Sequence, residues 1–112
     1  MQKPNERLKG QTAIVTGSSS GIGAAVALAL GRDGANVVVN YNSSDEGAQE
    51  IAKQINEDNL CGEAIVVKCD VSKEKDVQDM FKQTVDKFGT VDILVANAGL
   101  QKDAPLHEMT LE

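Results

Sequence analysis

Positive charge is what this sequence can least offer a polyanion. Its 11 Lys and Arg are outnumbered by 17 Asp and Glu, giving a net charge of −6 and a pI near 4.7. The lysines are scattered through acidic segments, so no broad basic field exists to neutralise a phosphate backbone, and nucleic acid is not expected as a partner. Cysteine and histidine are equally scarce. Cys61 and Cys69 stand in no CxxC and the single His107 is far away in sequence, so neither a zinc site nor a disulfide framework is indicated. Two reduced thiols, no metal and a loop histidine are expected. No positively charged leader followed by an apolar stretch opens the chain, and no apolar run approaches the roughly 20 residues that span a bilayer. The expectation is a cytoplasmic protein without a membrane partner.

What remains is the composition of one globular domain: 112 residues, 41% of them hydrophobic. Thr12-Ala13-Ile14-Val15-Thr16 is a short β-branched run that predicts a strand. From Ile22 to Leu30 nearly every residue is Ala, Val, Leu or Ile, which predicts a buried helix ended by a left-handed cap at Asp33-Gly34. Asn36 to Tyr41 is continuously apolar over Val37-Val38-Val39, in the manner of parallel strands covered on both faces. Ser43 and Glu46 then stand at capping-box spacing, and Ala48, Ile51, Ala52 and Ile55 form one apolar stripe of an amphipathic helix.

Ala64 to Val67 predicts a third strand. Ser72 is placed to cap a third helix carrying Val77, Met80, Phe81, Thr84, Val85 and Phe88 on its apolar face, with Gly89 as its stop. Val91 to Ala96 predicts a fourth strand, and Leu100 to Glu112, with Pro105 and the N-cap candidate Thr110, a loop leading into a helix. Four strands alternating with three helices form the first half of a doubly wound, Rossmann-type parallel α/β sheet. In such sheets ligands lie beyond the carboxyl ends of the strands, so the informative residues follow Val15, Val39, Val67 and Val95.

Beyond the first strand stands Thr16-Gly17-Ser18-Ser19-Ser20-Gly21-Ile22-Gly23. A phosphate reaches the N–H groups at a helix start only where no Cβ intervenes, and the helix dipole favours its charge. Gly17 is expected to make the turn, Gly21 to permit close approach and Gly23 to let the helix pack, while the hydroxyls of Ser18, Ser19 and Ser20 offer further donors. A tight turn of small residues without a ligand is the competing reading. The glycine spacing is G-x-x-x-G-x-G.

That spacing, with the Thr before it, resembles the cofactor motif T-G-x-x-x-G-x-G of the short-chain dehydrogenase/reductase family, matched at Thr16, Gly17, Gly21 and Gly23. Two more family motifs sit on the expected strand ends: Asp70-Val71 after the third, and Asn97-Ala98-Gly99 after the fourth. The resemblance implies a nicotinamide dinucleotide bound by Gly17, Ser18, Ser19, Ser20, Gly21, Ile22, Gly23, Asn40, Tyr41, Asp70, Val71, Asn97, Ala98 and Gly99, with Asp70 and Val71 at the adenine. For Asn97 the alternative is pairing backbone groups between strands, and for Asp70 bracing a turn. The stretches Val37 to Tyr41, Gly62 to Ile65, Asn97 to Leu100 and His107 to Met109 are most similar to members that oxidise a sugar. Members that reduce a ketone on an acyl carrier protein look alike over the same residues.

The family's catalytic Tyr and the Lys four residues later, with their Ser and Asn partners, match no position here. The only tyrosine is Tyr41, and four residues on stands Asp45. Residues 1–112 are therefore expected to form a partial dinucleotide-binding domain, truncated before its catalytic half, with no catalytic residue of its own. The whole protein is expected to be an NAD(P)-dependent oxidoreductase acting on a small alcohol or carbonyl, a homo-oligomer by family resemblance. The alternative is a non-catalytic dinucleotide-binding or interaction module. No carboxylate for the adenine ribose 2′-OH ends the second strand, which reads Asn40-Tyr41-Asn42-Ser43, and no Lys or Arg occupies Ser20 or Asn42. Dual use of NADP and NAD, leaning to NADP, follows.

Overall fold

The computed structural model describes residues 7–18, 21–43, 45–58 and 62–97. The elements are β1 (Thr12–Val15), α1 (Gly21–Arg32), β2 (Asn36–Tyr41), α2 (Glu46–Asp58), β3 (Ala64–Lys68), α3 (Glu74–Phe88) and β4 (Ile93–Val95). The strands form one sheet in the order β3-β2-β1-β4, and every pairing is parallel. This is the doubly wound arrangement, whose strand order reverses between β1 and β4, the point beyond whose carboxyl ends ligands bind in such sheets.

Both sheet faces are covered, which explains the unbroken valines of β2. Val15, Val37 and Val39 join Ala24 and Ala27 of α1 and Ala48, Ile51 and Ile55 of α2 in one core cluster. Ile14, Val38 and Val67 point the other way, to Met80 of α3 and the thiol of Cys69. Successive residues of a strand face opposite sides, so an apolar residue is needed at each position when both sides are dry.

Several local expectations are corrected. α1 is buried along one stripe, Gly23, Ala24, Ala27 and Gly31, whereas Ala25 and Ala29 are exposed, so it is not buried all round. α2 begins at Glu46, which puts Ser43 outside the helix; the first helical acceptor is the carbonyl of Asp45, bonded by the Gln49 N–H at 2.8 Å. Ser72 does not cap α3. Lys73 holds the cap position in extended conformation with no side-chain bond, and Ser72 turns back to Asp70. Val85 is 46% exposed, because Met80 and Thr84 are the residues of its helix that face the sheet. β4 is three residues, not six: its register stops at Val15↔Val95, where β1 itself ends.

The exit of α1 follows the sequence closely. The Gly34 N–H donates to the Gly31 carbonyl at 3.0 Å and the Ala35 N–H to Leu30 at 3.2 Å, the paired bonds of a Schellman ending. Gly34 carries φ +101°, a conformation that a Cβ strains. Gly34→Ala should therefore destabilise the chain by about 1–2 kcal/mol, read as a lowered urea midpoint at unchanged slope.

Candidate functional site

At the carboxyl edge of the sheet the chain leaves β1 and fans towards both neighbouring strands. The Thr16 N–H donates to the Val95 carbonyl at 3.0 Å, on the β4 side. Two residues later the Ser18 N–H donates to the Asn40 carbonyl at 3.1 Å, on the β2 side. Between them Gly17 makes the turn with φ +61°, and Gly21, at φ +63°, opens α1. A Cβ on Gly21 would meet nothing within 4 Å, so the helix mouth is clear at that point. Gly23 is different: a Cβ there would fall onto the Gly17 carbonyl and 2.7 Å from Asn97 Nδ2. Its missing side chain lets the helix seat against the loop, closer to the loop than to the sheet for which it was expected.

Two carboxamides hold the peptides on either side of Gly17. Asn40 Oδ1 accepts the Gly17 N–H at 2.9 Å, and Asn97 Nδ2 donates to the Gly17 carbonyl at 3.1 Å. Asn97 is itself fixed, its N–H donating to Thr16 Oγ1 at 2.8 Å. Of the two readings open for Asn97, the pairing of backbone groups between strands is therefore realised in the fold.

Ser18 and Asn40 are turned inward. Ser18 is fully buried, and its hydroxyl, expected to serve a phosphate, donates to the Val15 carbonyl at 2.7 Å and accepts the Asn40 N–H at 2.9 Å. Asn40 is 2% exposed, and its Nδ2 is shared among the carbonyls of Tyr41, Val67 and Cys69 at 3.2–3.3 Å. The sequence reading missed this bracing role. Its signal was a lone carboxamide continuing a valine strand, a buried polar group that must find partners. Tyr41 is half-buried against the core cluster of α1 and α2.

Beyond β3, Asp70 Oδ1 accepts both the N–H of Ser72 at 3.0 Å and its hydroxyl at 2.7 Å, and the Asp70 N–H donates to Asp76 Oδ2 at 3.1 Å. The turn-bracing reading of Asp70 is thus present in the structure. The Ser72 hydroxyl and, less strongly, its N–H hold the Asp70 carboxyl below its ordinary range. The neighbouring Cys69 thiol is pushed up by burial and then by the charges of Asp76, Asp70 and Asp79, which keeps it protonated and unreactive near neutrality. Two large apolar side chains stay out in solvent on this side: Ile22 at the mouth of α1, 75% exposed, and Val71 after β3, 37% exposed.

The structure brings Gly17, Ser18, Gly21, Ile22, Gly23, Asn40, Tyr41, Asp70, Val71 and Asn97 to one edge of the sheet, each at a strand end or at the start of α1. Ser19, Ser20, Ala98 and Gly99 lie outside the described residues, as do Cys61, His107, Pro105 and Thr110. Among the described residues no group of three or more His, Cys, Asp or Glu could hold a metal, and no helix is long and apolar enough to cross a membrane.

Comparison with known proteins places this geometry. The model of the short chain dehydrogenase family matches residues 11–112. Glucose 1-dehydrogenase 2 of Bacillus subtilis is 46% identical over 106 residues, which are 94% of this chain and 40% of that protein. 3beta-hydroxysteroid dehydrogenase 1 of Eggerthella lenta is 46% identical over 105 residues, with the same shares of 94% and 40%. Among solved structures, a short chain dehydrogenase from Burkholderia cenocepacia in complex with NADP superimposes with a TM-score of 0.79 at 40% identity, covering 94% of this chain and 42% of that one. The chain thus spans about two fifths of the length of the proteins it matches.

The Asp70 turn gives a titration to measure. A lowered carboxyl pKa contributes stability above the ordinary carboxylate range and loses it as pH falls through the lowered value. In Ser72→Ala the hydroxyl bond is gone, so the Asp70 side chain should titrate at higher pH than in the unaltered chain, followed by NMR of its carboxyl carbon. An unmoved midpoint would mean that this bond does not set the shift.

Proposed function

The chain belongs to the short chain dehydrogenase family, and on that premise we propose that it is the dinucleotide-binding part of an oxidoreductase interconverting a secondary alcohol and a carbonyl. The observation that carries the proposal is the mouth of α1. Gly17 and Gly21 both take positive φ there, and the space beside Gly21 that a Cβ would enter is open. That is the cradle a diphosphate needs in order to meet backbone N–H groups at a helix N-terminus. A nicotinamide cofactor, when bound, supplies or accepts the hydride.

The chain's own part is to hold and orient it. Gly17, Gly21, Ile22 and Gly23, with Ser19 and Ser20, would line the diphosphate, and Asp70 and Val71 the adenine. Asn97, Ala98 and Gly99 would lie on the nicotinamide side, with Tyr41 near the adenine ribose. Ser18 and Asn40 belong to the site through the loop they shape, since their polar atoms are engaged inside the protein. The catalytic Tyr-x-x-x-Lys pair of the family has no counterpart in these 112 residues, so binding, not turnover, is assigned to this chain. The same observation supports a non-catalytic binding module as the second reading. A sugar is the finer proposal for substrate. The glucose dehydrogenase supports it, while a steroid dehydrogenase of equal identity supports a larger apolar alcohol as well.

For the cofactor we propose use of both NADP and NAD with a lean to NADP. The second strand ends in Asn40-Tyr41-Asn42, with no carboxylate to repel a 2′-phosphate and no cation to demand one. The NADP complex of the Burkholderia relative supports the lean.

Titration of the chain with NADPH and NADH by nicotinamide fluorescence should give Kd values within about tenfold of each other, a difference of at most about 1.4 kcal/mol. Gly21→Val fills the cradle and should weaken both by at least about tenfold, with circular dichroism showing that the fold persists. Unchanged affinity in a folded Gly21→Val chain would sink the loop assignment, and a strong preference for NADH would sink the cofactor assignment.

A further inference from the structure

We propose that Asn40 is a positioning residue whose carboxamide sets the glycine loop and the turn after β3 as one unit, an inference that rests on the dinucleotide-binding reading above. Its two ends perform different tasks. Oδ1 takes the Gly17 N–H, fixing the peptide at the positive-φ turn, and Nδ2 reaches the carbonyls of Val67 and Cys69 on the far side of β2. The Ser18 hydroxyl and N–H close the same unit against the Asn40 backbone. The segment proposed for the diphosphate and the segment proposed for the adenine, on non-adjacent strands, are thereby joined through one side chain whose polar atoms bond main-chain groups.

The requirement is chemical as well as steric. One terminus must accept and the other must donate, which a carboxamide does at every pH and a carboxylate does only when protonated. An Asp of the same shape would accept from Gly17 but face the three carbonyls of Tyr41, Val67 and Cys69 with lone pairs, in a site 2% exposed. Protonation restores the missing donor, so Asn40→Asp becomes a pH-dependent version of the native side chain.

The experiment measures two quantities on the chain, the hydrogen-exchange protection factor of the Gly17 amide without ligand and the Kd of NADPH. Asn40→Ala should lose Gly17 protection and bind NADPH on the order of tenfold more weakly, the equivalent of one hydrogen bond. Asn40→Asp should resemble Asn40→Ala at pH 8 and return towards the native values at pH 5.5, with circular dichroism reporting the fold at both. The unaltered chain, run over the same range, subtracts any titration of Tyr41, Lys68, Cys69, Asp70 and Asp76 on the adjoining segments. Native protection and affinity in folded Asn40→Asp at pH 8 would overturn the proposal, as would loss at pH 8 without recovery at low pH. If Asn40→Ala does not fold, Asn40→Asp alone decides. If the unaltered chain fails to bind NADPH, the dinucleotide reading falls, while Gly17 protection still judges the clamp.

Discussion

Gly17 is gripped through the peptides on both of its sides, and the rest of the site is arranged around that grip. Asn40 accepts its N–H from the end of β2, and Asn97 donates to its carbonyl from the end of β4. Each bond has a modest net value, about 1 kcal/mol. Their effect is geometric, because Gly17 would otherwise be the least constrained residue of the loop. Fixing the peptide planes on either side of it fixes where β1 ends, which way Ser18 turns and how Gly23 can seat α1 against the Gly17 carbonyl.

Such a grip depends on the parallel sheet. Parallel strands run out at one edge, so β1 and β4 end side by side at Val15 and Val95, level with Val39 of β2, which continues two residues further to Tyr41. Backbone groups at that edge have no further strand to bond. Carboxamides fill the role, since each carries a donor and an acceptor whatever the pH. The device recurs elsewhere in the fold: Asn56 of α2 both donates to the Ala64 carbonyl and accepts its N–H, and Asn36 Oδ1 accepts the Glu63 N–H. At the opposite end of β1, Asp92 Oδ2 accepts the Thr12 N–H.

The elements were legible in sequence because their signals are periodic and repeated. The valines of β2, the apolar stripe of α2 and the glycines that end α1 and α3 each lead to the observed element, and the parallel pairing follows once the alternation of strands and helices is recognised. What escaped is decided by competition between single groups. Ser72 is a good cap by type, but Asp70 two residues earlier offers a carboxylate to both its N–H and its hydroxyl, and the turn wins. Ser18 and Asn40 were assigned to a ligand because serines and strand-end polar residues serve ligands in such loops. Only the fold shows that they face each other. Val85 matches the helical spacing of the apolar face but lies one step around the helix from Thr84, beyond the width of sheet that α3 covers.

This inward use of polar side chains determines what the edge can present outward. Thr16, Ser18, Asn40 and Asn97 all bond main-chain groups, and Asp70 holds its own turn. Among the described residues, the same edge presents to solvent the open space at Gly21, the apolar side chains of Ile22 and Val71, and Asn42 and Ser43 after β2. Backbone N–H groups at a helix mouth attract negative charge without reading the identity of the molecule that bears it, and apolar contacts are non-directional. A surface of that kind suits the diphosphate and flat rings of the proposed dinucleotide.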